Sequence, residues 1–147
     1  MRILGIDYGR VRLGLALSDE DGILASPLPT LSRSHRERED ILRIAELARE
    51  HGVTDMVVGL PLLMDGSHGT KARESKAFAL SLEKGTGLPV HLFDERLTSS
   101  EAERAMLEGD LSRQRRRRLR DGLAAVLILQ AYLDKQLPAS SPPDEAG

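Results

Sequence analysis

Residues 2–26 read RILGIDYGRVRLGLALSDEDGILAS. Ile3–Asp7 is a short apolar run that ends in an acid, the pattern of a buried strand. Asp7-Tyr8-Gly9-Arg10 reads as a turn and Leu13–Leu17 as a second strand. Glu20-Asp21-Gly22 is another turn, and Ile23–Ser26 reads as a third strand. Strands joined so tightly make an antiparallel meander. Pro27 and Pro29 are expected to open a loop after it.

Downstream the periodicity changes. Ile41, Ile44, Ala45 and Ala48 share one face of a helix expected over Arg38–His51, which Gly52 stops. Val53–Leu60 predicts a fourth strand, broken by Pro61. Lys71–Lys84 predicts a second helix with Ser75, Phe78, Ala79 and Leu82 inward. Pro89–Phe93 predicts a fifth strand that runs into Asp94-Glu95-Arg96. Thr98-Ser99-Ser100-Glu101 reads as a capping box for a short helix to about Glu108, ended by Gly109. A last helix is expected from Ser112 to about Lys135. Its stretch Leu123–Leu129 is apolar nearly all round, so it should pack on more than one side. Hairpins first and crossovers second predict an α/β protein, a mixed sheet covered by helices.

The 147 residues suit one domain, expected over 1–137, with the proline-rich stretch 138–147 (PASSPPDEAG) as a disordered tail. There is no Cys, which excludes a disulfide scaffold, a thiolate nucleophile and a Cys-based zinc site. Ile3–Ile6 is too short for a signal peptide, and no apolar stretch approaches the roughly 20 residues of a membrane span. A cytoplasmic protein is expected. Tyr8, Phe78, Phe93 and Tyr132 are the whole aromatic complement, too few for a base-stacking platform. The four His have no metal-ligand spacing.

Three acids stand out by position. Asp7 ends the first strand, Asp94 and Glu95 end the fifth, and Asp121 precedes the apolar part of the last helix. Sites in such sheets form outside the carboxyl ends of strands, where Asp7 and Glu95 could meet and Asp121 could join them. Converging carboxylates repel one another unless a hard cation, Mg²⁺ or Mn²⁺, takes their oxygens. Two such ions, roughly 3.5–4 Å apart, can activate water and stabilise the leaving oxygen of a phosphodiester. The bland alternative is ordinary strand-end and surface acids.

Charge is unevenly distributed. The net charge is −2, yet residues 113–120 (RQRRRRLR) hold six arginines, so the rest of the chain carries −8. One basic stripe on an acidic body suggests an anionic partner such as nucleic acid; the alternative is a solvated helix start or an intrachain partner for the acidic stretch Glu101–Glu108. Arg113, Arg117 and Asp121 recur every four residues on one helical face. Arg10 and Arg12 flank the Asp7 turn, where they could hold phosphate or serve as plain surface charges. Leu62, Leu63 and Met64 follow the fourth strand and suit either a hydrophobic plug or a wedge or partner surface. Ser18-Asp19 suits either support of the site or hairpin turn chemistry.

Several of these segments resemble the bacterial YqgF/RuvX family: Gly5–Gly9, Ala16–Asp19, Val58–Leu62 with Met64–Gly66, Asp94–Thr98, and Asp121 with Ala124, Ala125 and Ile128–Gln130. The resemblance spans about Arg2 to Asp134. It implies an RNase H-like fold: a five-stranded mixed sheet, three antiparallel N-terminal strands, and helices on both faces. It implies a nuclease, acting in Holliday junction resolution or in 5′-end maturation of pre-16S rRNA. The catalytic, metal-binding acids carried over are Asp7, Glu95 and Asp121. RNase H-like nucleases usually place an acid at the end of the fourth strand, and here Val57-Val58-Gly59-Leu60-Pro61 has none. The second carboxylate must come from the next strand, with Glu95 favoured over Asp94. Arg12, Arg96, Arg113 and Arg117 are the expected nucleic-acid contacts, and Thr98 and Ser99 the expected caps of the following helix. A resolvase that cuts two strands symmetrically would favour a homodimer. The rival reading is a catalytically silent nucleic-acid-binding module of ribosome assembly. A two-domain nucleotide-binding ATPase is disfavoured by the chain length and by the lack of a second D-x-G turn.

Overall fold

The computed structural model describes residues 1–98 and 113–136, with side chains for 1–98 and 122–136. The strands are β1 (Arg2–Asp7), β2 (Arg12–Ser18), β3 (Ala25–Ser32), β4 (Val53–Leu60) and β5 (Val90–Asp94). The helices are α1 (Glu37–His51), α2 (Thr70–Thr86) and α3 (Arg113–Gln136), and Glu95–Leu97 forms a single 3₁₀ turn. All five strands form one sheet in the order β3-β2-β1-β4-β5. β1, β2 and β3 pair antiparallel, while β1–β4 and β4–β5 pair parallel. The chain leaves β1 to one side and returns as β4 on the other, so the switch point lies between these two strands. The helix expected after Thr98 and the tail at 138–147 lie outside the described residues.

Alternation along the strands sorts the two cores. Leu4 and Ile6 of β1, Leu13 and Leu15 of β2, and Met56 and Val58 of β4 face α1 and α2, packing with Ile44, Phe78 and Leu82. Ile3, Ala16, Val57 and Phe93 face α3, packing with Ala125, Ile128, Leu129 and Leu133. Helices therefore cover both faces. None of residues 122–132 of α3 is exposed, as the apolar run Leu123–Leu129 requires.

Two expectations change. β3 begins at Ala25 and continues through Pro27 and Pro29, which were expected to open a loop. It is an edge strand, where a residue without an N–H can face outward. Its start is delayed because the Ile23 and Leu24 amides donate to the Asp19 carboxylate at 2.8 and 3.1 Å. On α1, Asp40 is wholly buried while Ala45 is not. Asp40 accepts from Arg33 Nε at 3.1 Å and from the Ser34 amide at 2.9 Å. Burial pushes its carboxyl up, but these donors outweigh burial and hold it below the usual range. Ser18 and Asp19 prove to be hairpin chemistry: Ser18 Oγ accepts from the Ile3 amide at 2.8 Å, at the far end of β1 from Asp7.

α3 lies directly on β1. A Cβ on Gly5 would come within 2.7 Å of Leu129 Cβ and 3.3 Å of the Ala125 carbonyl oxygen. Gln130 bonds to the Ala25 amide at 2.9 Å and the Ile23 carbonyl at 2.8 Å, beside the start of β1. The helix therefore runs antiparallel to β1, and its earlier residues lie toward the Asp7 end. We expect Gly5→Val to lose about 2 kcal/mol in urea unfolding through overpacking against Leu129. An unchanged midpoint would contradict this close approach.

Candidate active site at the switch point

Asp7 ends β1 opposite Gly14 of β2, on the face that α3 covers. Ile6 pairs with Val58 and Gly59 with Phe93, so Asp7, Gly59 and Phe93 lie level across β1, β4 and β5. Glu95 follows β5 and turns back over Gly59. A Cβ there would lie 2.5 Å from Glu95 Oε2 and 2.6 Å from Ile128 Cδ1. The fourth strand thus lacks an acid because its last inward position is the seat of the Glu95 carboxylate. A side chain on Gly59 would meet the ends of the Glu95 and Ile128 side chains, and one or both would have to shift.

Glu95 is half-buried, and its pKa is pushed up to about 7, first by burial and then by the Asp7 charge; Lys71 acts in the opposite sense. Two carboxylates thus share one partly desolvated spot. Asp94 is engaged elsewhere. It accepts from Arg96 Nη2 at 2.7 Å, from Nε at 3.1 Å and from the Arg96 amide at 3.0 Å, which holds its carboxyl below the usual range. Arg96 Nη1 also donates to the Met64 carbonyl at 3.4 Å. Arg96 therefore ties the 61–69 loop to the start of the 3₁₀ turn, and Met64 stands almost fully exposed at the loop tip. Thr98 Oγ1 donates back to the Glu95 carbonyl at 2.8 Å and closes that turn.

Behind Asp7, the turn is held from below. Arg33 Nη1 donates to the Gly9 carbonyl at 3.2 Å, and the Arg33 amide donates to the Val11 carbonyl at 2.9 Å. The guanidinium lies 5.0 Å from the centre of the Tyr8 ring, which itself meets Phe78 at 5.1 Å. Beside Asp7 opens a cleft of about 520 Å³, lined by Tyr8, Arg10, Arg12, Lys71 and Glu74 among others. Arg10 forks onto Glu74 at 3.1 and 2.7 Å.

Sequence reasoning missed Arg33, Asp40 and Lys71. A signal for Lys71 was present: the first turn of α2 has no acid and carries Lys71, against the sense of the helix dipole. Asp121 sits in α3, one turn before Ala125, and the helix direction carries that position toward the Asp7 end of β1. The side chains of Asp121, Arg113 and Arg117 lie outside those described. Among the described residues, no three acids or histidines cluster as a metal site.

With that geometry in place, the comparisons define the class. The chain matches the family described as "RuvX: Holliday junction resolvase" over residues 1–135 and belongs to it. It is 47% identical over 147 residues to a Pelotomaculum thermopropionicum protein, covering all of this chain and 94% of that one. It is 50% identical over 135 residues to one from Moorella thermoacetica, covering 92% and 96%. Both carry the name "Putative pre-16S rRNA nuclease". In fold it resembles RuvC of T. thermophilus, solved with a Holliday junction substrate: TM-score 0.57, 17% identity, covering 92% of this chain and 96% of that one. The fold is RNase H-like.

A carboxyl raised in the folded state destabilises the fold once ionised. The cost is absent below the unfolded pKa of about 4.5, grows up to about 7 and is complete above it. In protein stripped of divalent ions, Glu95→Gln should therefore match the wild type at pH 4. At pH 8 it should be more stable by on the order of 2 kcal/mol. Equal stability at both pH values in chemical denaturation would rule out the burial and charge coupling of Glu95.

Proposed function

We propose that this protein is a metal-dependent nuclease that hydrolyses phosphodiester bonds of structured nucleic acid. The favoured substrates are pre-16S rRNA, by likeness to its relatives' names, and a four-way DNA junction, by its family's description. The observation that carries the reading is the Glu95 carboxylate seated over Gly59 within electrostatic reach of Asp7, beside a cleft lined by Arg10, Arg12 and Lys71.

The donor set fits Mg²⁺ or Mn²⁺: hard carboxylate oxygens, two like charges at one partly desolvated spot, and room made by a glycine. Asp7 and Glu95 would hold the ion, with Asp121 of α3 as the third ligand. Such an ion would acidify a water and neutralise charge on the phosphoryl oxygens, tasks that two ions would divide. Arg12 and the basic start of α3, with Arg113 and Arg117, would draw the anionic backbone across the acids. The water oxygen bonds to phosphorus as the bond to one ester oxygen breaks, and the proton that the water gives up ends on the leaving oxygen. Arg96, committed to Asp94 and Met64, acts by fixing the turn that aims Glu95. Such substrates place the protein in the cytoplasm, and no helix among the described residues is long and apolar enough to cross a membrane. Cutting a junction on two strands would take a homodimer, while trimming an RNA end would not.

The test is a parallel cleavage assay on a structured precursor RNA and a four-way DNA junction, with Mg²⁺ and with Mn²⁺. We expect cleavage of at least one substrate, its loss with a chelator, and at least a 100-fold fall in rate for Asp7→Asn and for Glu95→Gln. Binding without cleavage under every divalent ion would instead establish the silent assembly-module reading.

A further inference from the structure

The cleft beside Asp7 reaches past the acids to Arg10, Lys71 and Glu74. Its volume of about 520 Å³ lies within the range of small-ligand pockets and suits one nucleotide. One wall is the β1–β2 turn with Arg10 and Arg12, and the other is the first turn of α2 with Thr70, Lys71 and Glu74. Lys71 is exposed and makes no hydrogen bond or ion pair among the described residues. Its charge nevertheless reaches Glu95 on one side and Glu74 on the other. It lines the same cleft as Asp7, Arg10 and Glu74.

Glu74 is three residues from Lys71 on α2, so the two share a helix face. Its carboxylate sits in the Arg10 fork with two parallel bonds, at 3.1 and 2.7 Å. That is also how a guanidinium holds a phosphate. The Arg10 side chain is 71% exposed and that of Glu74 is 31% exposed. An exposed pair of this kind is weak and readily exchanged.

We propose that this cleft seats the nucleotide flanking the cleaved bond. Lys71 binds its phosphate, and the Arg10–Glu74 pair is a latch in which Glu74 stands in for the next phosphate until the strand displaces it. The proposal rests on the nuclease reading above and adds the path of the strand: from the acids, past Lys71, to Arg10. The chemistry recognised is the backbone phosphodiester, common to RNA and DNA.

The experiment measures binding of the full-length chain to an RNA hairpin with a single-stranded 5′ leader and to a four-way DNA junction. Fluorescence anisotropy is read over a salt series with Ca²⁺ in place of Mg²⁺, and wild-type cleavage is followed separately with Mn²⁺. On a probe the wild type binds, Lys71→Gln should weaken binding and lower the slope of log Kd against log salt by about 1, one phosphate contact. Glu74→Gln should tighten binding by roughly threefold and steepen the slope by about 1, because Arg10 is released to the strand. Both exposed substitutions are checked for unchanged thermal melting. Unchanged slopes for Lys71→Gln on every probe the wild type binds, or weaker or equal binding by Glu74→Gln, overturn the proposal while leaving the nuclease reading in place. A wild type that neither binds nor cuts any probe overturns both.

Discussion

Two carboxylates are held close enough to repel one another, and the fold supplies the force that keeps them there. The Glu95 carboxylate occupies the space above Gly59 and feels the charge of Asp7 at the end of the neighbouring strand. Asp7 is the last residue of a central strand, paired on both sides. Glu95 and the Ile128 side chain of α3 both fill the space over Gly59 of β4. Two glycines set the spacing: Gly5 lets α3 press onto β1, and Gly59 leaves the opening that Glu95 fills. The apolar contact of α3 with the sheet thus stabilises an arrangement that electrostatics alone would disperse.

The turn that carries Asp7 is stiffened from the opposite face. The Arg33–Asp40 pair is nearly dry, with side-chain exposures of 11% and 0%. Removing one partner of such a pair strands a buried charge and costs far more than a surface ion pair does. Arg33 spends its other donors on the backbone at Gly9 and Val11 and its flat face on Tyr8. Arg96 does a similar service for the second acid, joining Asp94 to the loop after β4. An arginine thus braces the segment that carries each acid.

Much of this was legible. Strand-ending acids gave Asp7 and the Asp94–Glu95 pair, and the switch from hairpins to crossovers gave the mixed sheet. What was missed has specific causes. Pro27 and Pro29 read as a loop because propensity cannot distinguish an edge strand from a central one. Gly59 read as a missing acid, because a glycine's use as room for a side chain 36 positions later has no local signature. Arg33 and Asp40 were not singled out, since nothing local tells a buried ion pair from an exposed one. Asp94 and Glu95 were separable only once Arg96 was seen to claim Asp94.

The central claim is that the Asp7 and Glu95 carboxylates form one cation site with α3 close by. A crystal of the protein soaked in Mn²⁺ and measured for anomalous scattering tests it most directly. The account predicts a peak within coordinating distance, about 2.2 Å, of a carboxylate oxygen from each of Asp7 and Glu95. A peak bound elsewhere, or none beside both residues in a crystal with ordered side chains, would contradict it.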